Sequence, residues 1–419
     1  MVFASYVARL VDPLLAELVA DVPGVMIVGP RACGKTTTSV RYARTVLRMD
    51  RDETSRAVTA NPDAVLADAE PPVLVDEWQR APAALAAAKR LIDHDPAPGR
   101  FVFTGSASDT LSPDAWPGTG RFIRVPMWGL TQREIFGPQR VRPTTFFDTI
   151  ADTCDKTLDI ALPADVPDLA GYVDLLLTSG FPEAIARSTT RTRSLWLESY
   201  VDHIVGRDVD LVGEVRDAAR LRRYLAVLAA NSAGIPAMQT LATSASVNRE
   251  TAQRFDGFLE RLFVTEQVPA WASSRLSRLA ATTKRYLCEP ALAAPLLGLE
   301  RRSIIRDADI AGRMIDSFVA AQLRPELQLG SMPVSMFHIR QGGRREIDIV
   351  LERRDGALVA LEIKAAADVD LHDARHLVWL RDQLDTDRFR VGVVLHTGRH
   401  IRRLDTRIWA VPICSLWGG

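Results

Sequence analysis

Gly29-Pro30-Arg31-Ala32-Cys33-Gly34-Lys35-Thr36 has the residue types and spacing of a phosphate cradle, G-x-x-x-x-G-K-T. Its glycines let successive backbone N–H groups curl around a phosphate, and a helix N-terminus behind them adds its positive dipole end. Lys35 has the reach to meet the β- and γ-phosphates, and the Thr36 hydroxyl is a Mg²⁺ ligand. The expected nucleotide-binding segment is therefore Gly29, Pro30, Arg31, Ala32, Cys33, Gly34, Lys35, Thr36 and Thr37, with ATP and Mg²⁺ as cofactors. The chain has 52 Lys plus Arg, of which only Lys35, Lys89, Lys156, Lys284 and Lys364 are lysine. A planar, rigid arginine does not replace a compact ammonium in such a loop.

A second apolar run, Pro72-Val73-Leu74-Val75, ends in Asp76-Glu77. An Asp at the end of a strand near a phosphate cradle can hold Mg²⁺ or its water, and the next Glu can polarise an attacking water. Asp76 is thus a candidate metal ligand and Glu77 the candidate catalytic base, on a strand read as lying beside the P-loop strand. A third run, Phe101-Val102-Phe103-Thr104-Gly105-Ser106, offers Ser106 as a sensor of the γ-phosphate. Arg121, before the run Phe122–Pro126, reads as a solvated arginine, with contact to a neighbouring subunit's nucleotide as the sharper alternative.

The third group of residues is near the C-terminus. Glu346–Leu351 and Leu358–Lys364 alternate as strands around the turn signal Arg353-Arg354-Asp355-Gly356. Period two sets Glu362 and Lys364 on one face. A hairpin centred on Asp355, with Gly356 left-handed, puts Asp348 directly opposite Glu362. Two carboxylates and a lysine on one face suit a metal ion and an activated water for phosphodiester cleavage: Asp348 and Glu362 as ligands, Lys364 as the catalytic ammonium. Asp316 is an extra candidate ligand. His372 and His376 have the i, i+4 spacing of a zinc pair, but Asp373 stands where a zinc peptidase needs Glu and no third ligand is evident.

These groups need elements to hold them. Val25–Val28 reads as the strand before the cradle and Thr36 to about Arg44 as the helix after it. Four or five strands alternating with helices make an α/β sheet whose ligand sits at the carboxyl ends of the strands. Residues 138–170 are dotted with Pro and Asp and read as a loose linker. From Tyr172 to Tyr224 the pattern is helical, with Leu195, Tyr200 and Ile204 among the apolar positions and Arg207-Asp208 ending one stretch as a salt bridge. Residues 222–289 read as helix-turn-helix plus a β-hairpin wing: Asn248 caps a helix whose Phe255, Phe258, Leu259 and Leu262 form one buried face. Arg275, Arg278, Lys284 and Arg285 around the wing are candidate phosphate contacts, opposed by Asp256 and Glu260 on the second helix.

The composition is that of an ordinary globular chain, with 47% hydrophobic and 25% charged residues in 419. Its formal net charge is zero, so no global basic field draws it to nucleic acid or an anionic membrane. Its four cysteines are far apart and contain no C-x-x-C, the pattern of reduced thiols. No apolar run approaches the ~20 residues that span a bilayer, and the first residues lack signal-peptide order. A cytoplasmic protein with no membrane contact is expected. No N-K-x-D supports guanine readout, and a small-molecule kinase has no need of the chain beyond residue 140.

The segments GPRACGKTT, VLVDEWQRAP, GRFVFTGSAS, GRFIRVPMWGLTQREIFG, SGFPEA and VDHIVGRDV resemble the archaeal-type, AAA-like P-loop ATPases that carry a DUF4143 region. The resemblance extends over nearly the whole chain. The D…E-x-K pattern is similar to the PD-(D/E)xK nuclease superfamily, whose domain is often appended to this ATPase family. Cys33 departs from the family, which has a small polar residue there, and alkylation of its thiol is expected to block nucleotide binding. The division implied is 1–140 ATPase, 141–225 linker and helices, 226–304 winged-helix-like, and 305–419 nuclease-like. A Mg-ATP-hydrolysing switch acting on DNA or a protein partner is expected. A nucleotide-gated binding module with a silent nuclease-like domain is the alternative, and the AAA likeness allows an oligomer.

Overall fold

The computed structural model describes residues 6–105, 120–137, 144–151, 158, 160–206, 217–273, 282–330, 332–342 and 345–418. Among these, five parallel strands form the N-terminal sheet: β1 (Gly24–Val28), β2 (Thr45–Arg48), β3 (Val73–Asp76), β4 (Phe101–Gly105) and β5 (Ile123–Pro126), in the order β2-β3-β4-β1-β5. β1 is buried along its whole length. Met26 and Val28 point to one core with Leu85 and Phe103, and Val25 and Ile27 to the other with Leu15 and Leu74. A strand buried on both faces must be apolar throughout, which is why these strands read as continuous runs. The helix Asp12–Asp21 covers one face and Ala83–His94 the other.

Two expectations change here. The Asp76 strand is not beside the P-loop strand, because β4 lies between them and pairs with both. Strand order depends on pairing between distant segments, which no local pattern encodes. The helix after the cradle is also short. It runs Lys35–Ser39 and gives way to a tighter turn at Val40–Tyr42. The run of Thr36, Thr37, Thr38 and Val40 is β-branched and stiff, and the Ser39 hydroxyl donates to Lys35 O at 2.7 Å, a bond that bends helices.

The middle of the chain is helical: Leu169–Thr178, Thr190–Gly206, Ala218–Ala230, Met238–Ser244 and Arg249–Arg261. An antiparallel pair follows, β6 (Thr265–Val268) and β7 (Lys284–Leu287). Asn248 caps the last of these helices by accepting from Thr251 N, and Phe255, Phe258, Leu259 and Leu262 are buried as their spacing requires. Tyr200 and Ile204 are buried, whereas Leu195 is exposed. The stretch read as a loose linker contains the helix Phe146–Ala151, whose Phe146, Phe147 and Ile150 enter the core. One turn and a half is too short to show a period. Arg207 and Asp208 lie outside the described residues.

The C-terminal sheet is mixed: β8 (Val334–Gln341), β9 (Arg345–Arg353), β10 (Leu358–Lys364), β11 (Phe389–His396), β12 (Arg402–Asp405) and β13 (Ile408–Pro412), in the order β12-β13-β11-β10-β9-β8. The helix Ala308–Leu323 packs on one face and Arg375–Gln383 on the other. A single apolar cluster extends from Phe146 through the middle helices to Trp417, so the helical region, the hairpin and this sheet share one core. No helix among the described residues is long and apolar enough to cross a membrane.

Candidate functional site

The cradle lies at the carboxyl end of β1. Gly29 has φ +153°, and a Cβ there would meet Met127 O at 1.9 Å, so the loop can turn past β5 only with glycine. Gly34, at φ +100°, sits immediately before the helix Lys35–Ser39. Lys35 is buried and its ammonium donates to the carbonyls of Gly29 (2.9 Å) and Pro30 (2.8 Å). Arg31, Ala32, Gly34, Lys35, Thr36 and Thr37 all border a cleft of about 980 Å³. Cys33 is not among the residues that line the cleft, although its sulfur lies 4.0 Å from Lys35 Nζ. Its thiol is fully buried and donates to Met127 O at 3.4 Å. The sulfur belongs to the core beneath the cradle, directly behind the Lys35 ammonium.

Thr36 Oγ1 donates to Asp76 Oδ1 at 2.8 Å, so the cradle and the acidic strand end meet across the intervening β4. Thr104, on β4, also donates to Asp76 Oδ1. The sequence reading missed Thr104, although it is the one hydroxyl in the buried strand β4. Glu77 borders the same cleft. Its backbone is left-handed, φ +56°, an uncommon state for a non-glycine residue, and Gln79 Nε2 donates to its Oε2 at 2.6 Å. Ser106 follows β4 directly but lies outside the described residues. Arg121 pairs with Asp93 at 2.6 Å, both partly exposed.

Arg9 is a second residue that local reading missed. It is buried, pairs with Glu134 (3.0 Å), and donates to Cys33 O (2.8 Å) and Trp128 O (2.6 Å). Glu134 also completes a capping box with Thr131 on the short helix Gln132–Ile135. The next residue inward, Arg133, pairs with Glu326 at 2.6 Å. One short segment thus grips the back of the cradle and the C-terminal part of the chain together. The far wall of the cleft comes from Pro182, Glu183, Ala186 and Arg187, in and just beyond the SGFPEA segment.

At the C-terminal sheet, β9 and β10 pair as Leu358–Glu352, Val359–Leu351, Ala360–Val350 and Leu361–Ile349. Continued by one residue, that register sets Asp348 opposite Glu362. Gly356 has φ +91° in the turn, as the spacing requires. The ladder opens at this point, and Asp348 Oδ2 accepts from Ile363 N at 2.9 Å. Lys364 Nζ donates to Glu362 Oε1 at 2.9 Å, while Glu362 Oε2 is buried without a hydrogen-bond partner. Burial and then the neighbouring Asp348 push the Glu362 carboxyl up to about 8, against the pull of Lys364.

The surprise is Lys284. Read as a phosphate contact near the wing loop, it is instead one of the most buried side chains, at 1% exposure. Its ammonium donates to Asp316 Oδ2 (2.6 Å), Asp348 Oδ1 (3.2 Å) and Asp348 O (3.2 Å). Burial works against its charge, but Asp316 and Asp348 outweigh burial and hold the proton well above the usual lysine range. Arg285 is corrected likewise: it is buried and pairs with Asp256 at 2.8 Å. Asp256 therefore neutralises the hairpin rather than opposing a phosphate. All four residues of β7 are buried, so alternation gave no sign of which way these cations point. Arg275 and Arg278 lie outside the described residues. His376 Nδ1 lies 2.6 Å from Glu346 O, and no group of three His, Cys, Asp or Glu among the described residues has metal-site geometry.

Residues 22–136 match the model of an AAA domain, 169–303 a domain of unknown function (DUF8612), and 311–416 a domain of unknown function (DUF4143). Proteins of Mycobacterium bovis and Mycobacterium tuberculosis, both described as uncharacterized, are 25% identical over 395 residues, 93% of this chain and 80% of theirs. A solved structure described as the Walker-type ATPase PABY2304 of Pyrococcus abyssi aligns with a TM-score of 0.40 at 13% identity, covering 68% of this chain and 94% of that one. The AAA match over 22–136, the DUF4143 match and the geometry joining Lys35, Thr36, Asp76 and Glu77 support an AAA-like P-loop ATPase.

Proposed function

We propose that the chain is a Mg²⁺-dependent ATPase that acts as a nucleotide-driven switch on a macromolecular partner. The observation that carries this reading is the composition of the cleft: one wall is the P-loop with Glu77, the other is Pro182–Arg187 of the helical region. A triphosphate bound there touches both parts, so its loss on hydrolysis changes how they meet.

The hydroxyl of Thr36, on the cleft, and the carboxylate of Asp76, buried just behind it, are hard oxygen donors 2.8 Å apart, a donor pair that fits Mg²⁺. When bound, Mg²⁺ neutralises charge on the phosphates. Lys35 exchanges the carbonyls of Gly29 and Pro30 for phosphate oxygens. Glu77, held by Gln79, takes a proton from the attacking water, and Ser106 senses the terminal phosphate. Because Lys284 and Arg285 are engaged by internal carboxylates, the hairpin offers DNA fewer free cations than its sequence suggests, which favours a protein partner.

Steady-state ATP hydrolysis tests this reading. Turnover is expected with Mg²⁺, is abolished by EDTA, and is unchanged by duplex DNA. Stimulation by DNA would move the partner to nucleic acid. ATP binding with no hydrolysis under any condition would replace the enzyme by the nucleotide-gated binding module.

A further inference from the structure

We propose that Lys284 is the resident cation of the acidic cluster in the C-terminal domain, standing where a nuclease would hold its metal. The cluster then works as an ion-pair lock that fastens the β6–β7 hairpin to the C-terminal sheet. Its three members come from three elements: Lys284 from β7, Asp316 from the helix Ala308–Leu323 and Asp348 from β9.

Oxygen by oxygen, little is left for a divalent ion. Asp316 Oδ2 takes Lys284, and its Oδ1 takes the Tyr286 hydroxyl at 3.0 Å. Asp348 Oδ1 takes Lys284, and its Oδ2 takes Ile363 N. Glu362 Oε1 takes Lys364, and only Oε2 has no partner. A metal needs several such oxygens at once. To gain them it must enter within a few ångströms of a buried ammonium, where like charges repel strongly in a low-dielectric setting. The D…E-x-K pattern survives in sequence, but a lysine from outside the domain fills the place its chemistry requires to be open. Metal enters only if β7 withdraws.

Mn²⁺ binding to the full chain without nucleotide, followed by the electron paramagnetic resonance signal of free Mn²⁺, tests this. Wild type and Asp348→Asn are expected to bind Mn²⁺ alike, because the cluster contributes no site. Lys284→Met removes the charge and keeps the bulk; the carboxylates lack metal-site geometry with the lysine between them, and without it they are expected to close on one Mn²⁺ per chain, lost again in the double variant with Asp348→Asn. Lys284→Arg keeps the cation and should gain none. The lock also predicts faster amide hydrogen exchange along β6 and β7 in Lys284→Met, by about ten-fold or more, with exchange in β1 and β4 unchanged. A stoichiometric Mn²⁺ site in wild type that Asp348→Asn removes would overturn the proposal. So would a folded Lys284→Met with neither the added metal site nor the faster hairpin exchange. Should Lys284→Met fail to fold, the comparison of wild type with Asp348→Asn decides alone.

Discussion

Glu77→Gln is expected to leave ATP binding nearly intact while lowering turnover by about 10²–10⁴-fold, the range that a positioned general base supplies. Glu77 borders the cleft on a left-handed backbone and receives a hydrogen bond from Gln79. A glutamine keeps the shape and one carbonyl oxygen but cannot accept the water's proton. In the proposed mechanism the phosphates are held elsewhere, by the cradle and Lys35, so affinity should change little. Calorimetric titration with ATP alongside a phosphate-release assay separates the two effects. Unchanged turnover would remove Glu77 from the mechanism, and lost binding would give it a structural role instead.

Arg9→Leu has the largest expected effect on stability, about 3–5 kcal/mol, the range for removing one partner of a buried pair. The penalty comes less from the lost attraction than from the abandoned partner. Glu134 is 2% exposed, so its carboxylate would stay buried without a cation. Cys33 O would lose its donor as well, loosening the back of the phosphate loop. Chemical denaturation of Arg9→Leu and of Arg9→Leu with Glu134→Gln measures this. The double variant should recover part of the loss, since it removes the stranded charge. Equal stability of wild type and Arg9→Leu would show that solvent reaches Glu134 freely.

What could be read from sequence was what lies close in sequence. The cradle, its strand and the acidic pair at the end of β3 are each local signals; the contact of Thr36 with Asp76, 40 residues apart, follows from the two motifs together and not from closeness in sequence. The register of β9 and β10 was legible because one turn with glycine at its left-handed position fixes it. The insertion of β4 between β1 and β3, the grip of Arg9 on Glu134 and the approach of Lys284 to Asp316 and Asp348 were not. Each joins segments dozens of residues apart, and residue type alone does not tell a buried cation from a solvated one. The basic character of the hairpin suggested phosphate, whereas burial made Lys284 and Arg285 counter-ions.

A nucleotide-driven switch requires that Gly29–Thr37 receive a triphosphate. Equilibrium titration of Mg-ATP into wild type and Lys35→Ala tests that directly. Wild type should bind one ATP per chain, and Lys35→Ala should lose at least about ten-fold in affinity, the equivalent of about 1.4 kcal/mol. Equal affinity in the two, or no ATP bound by wild type, would contradict it.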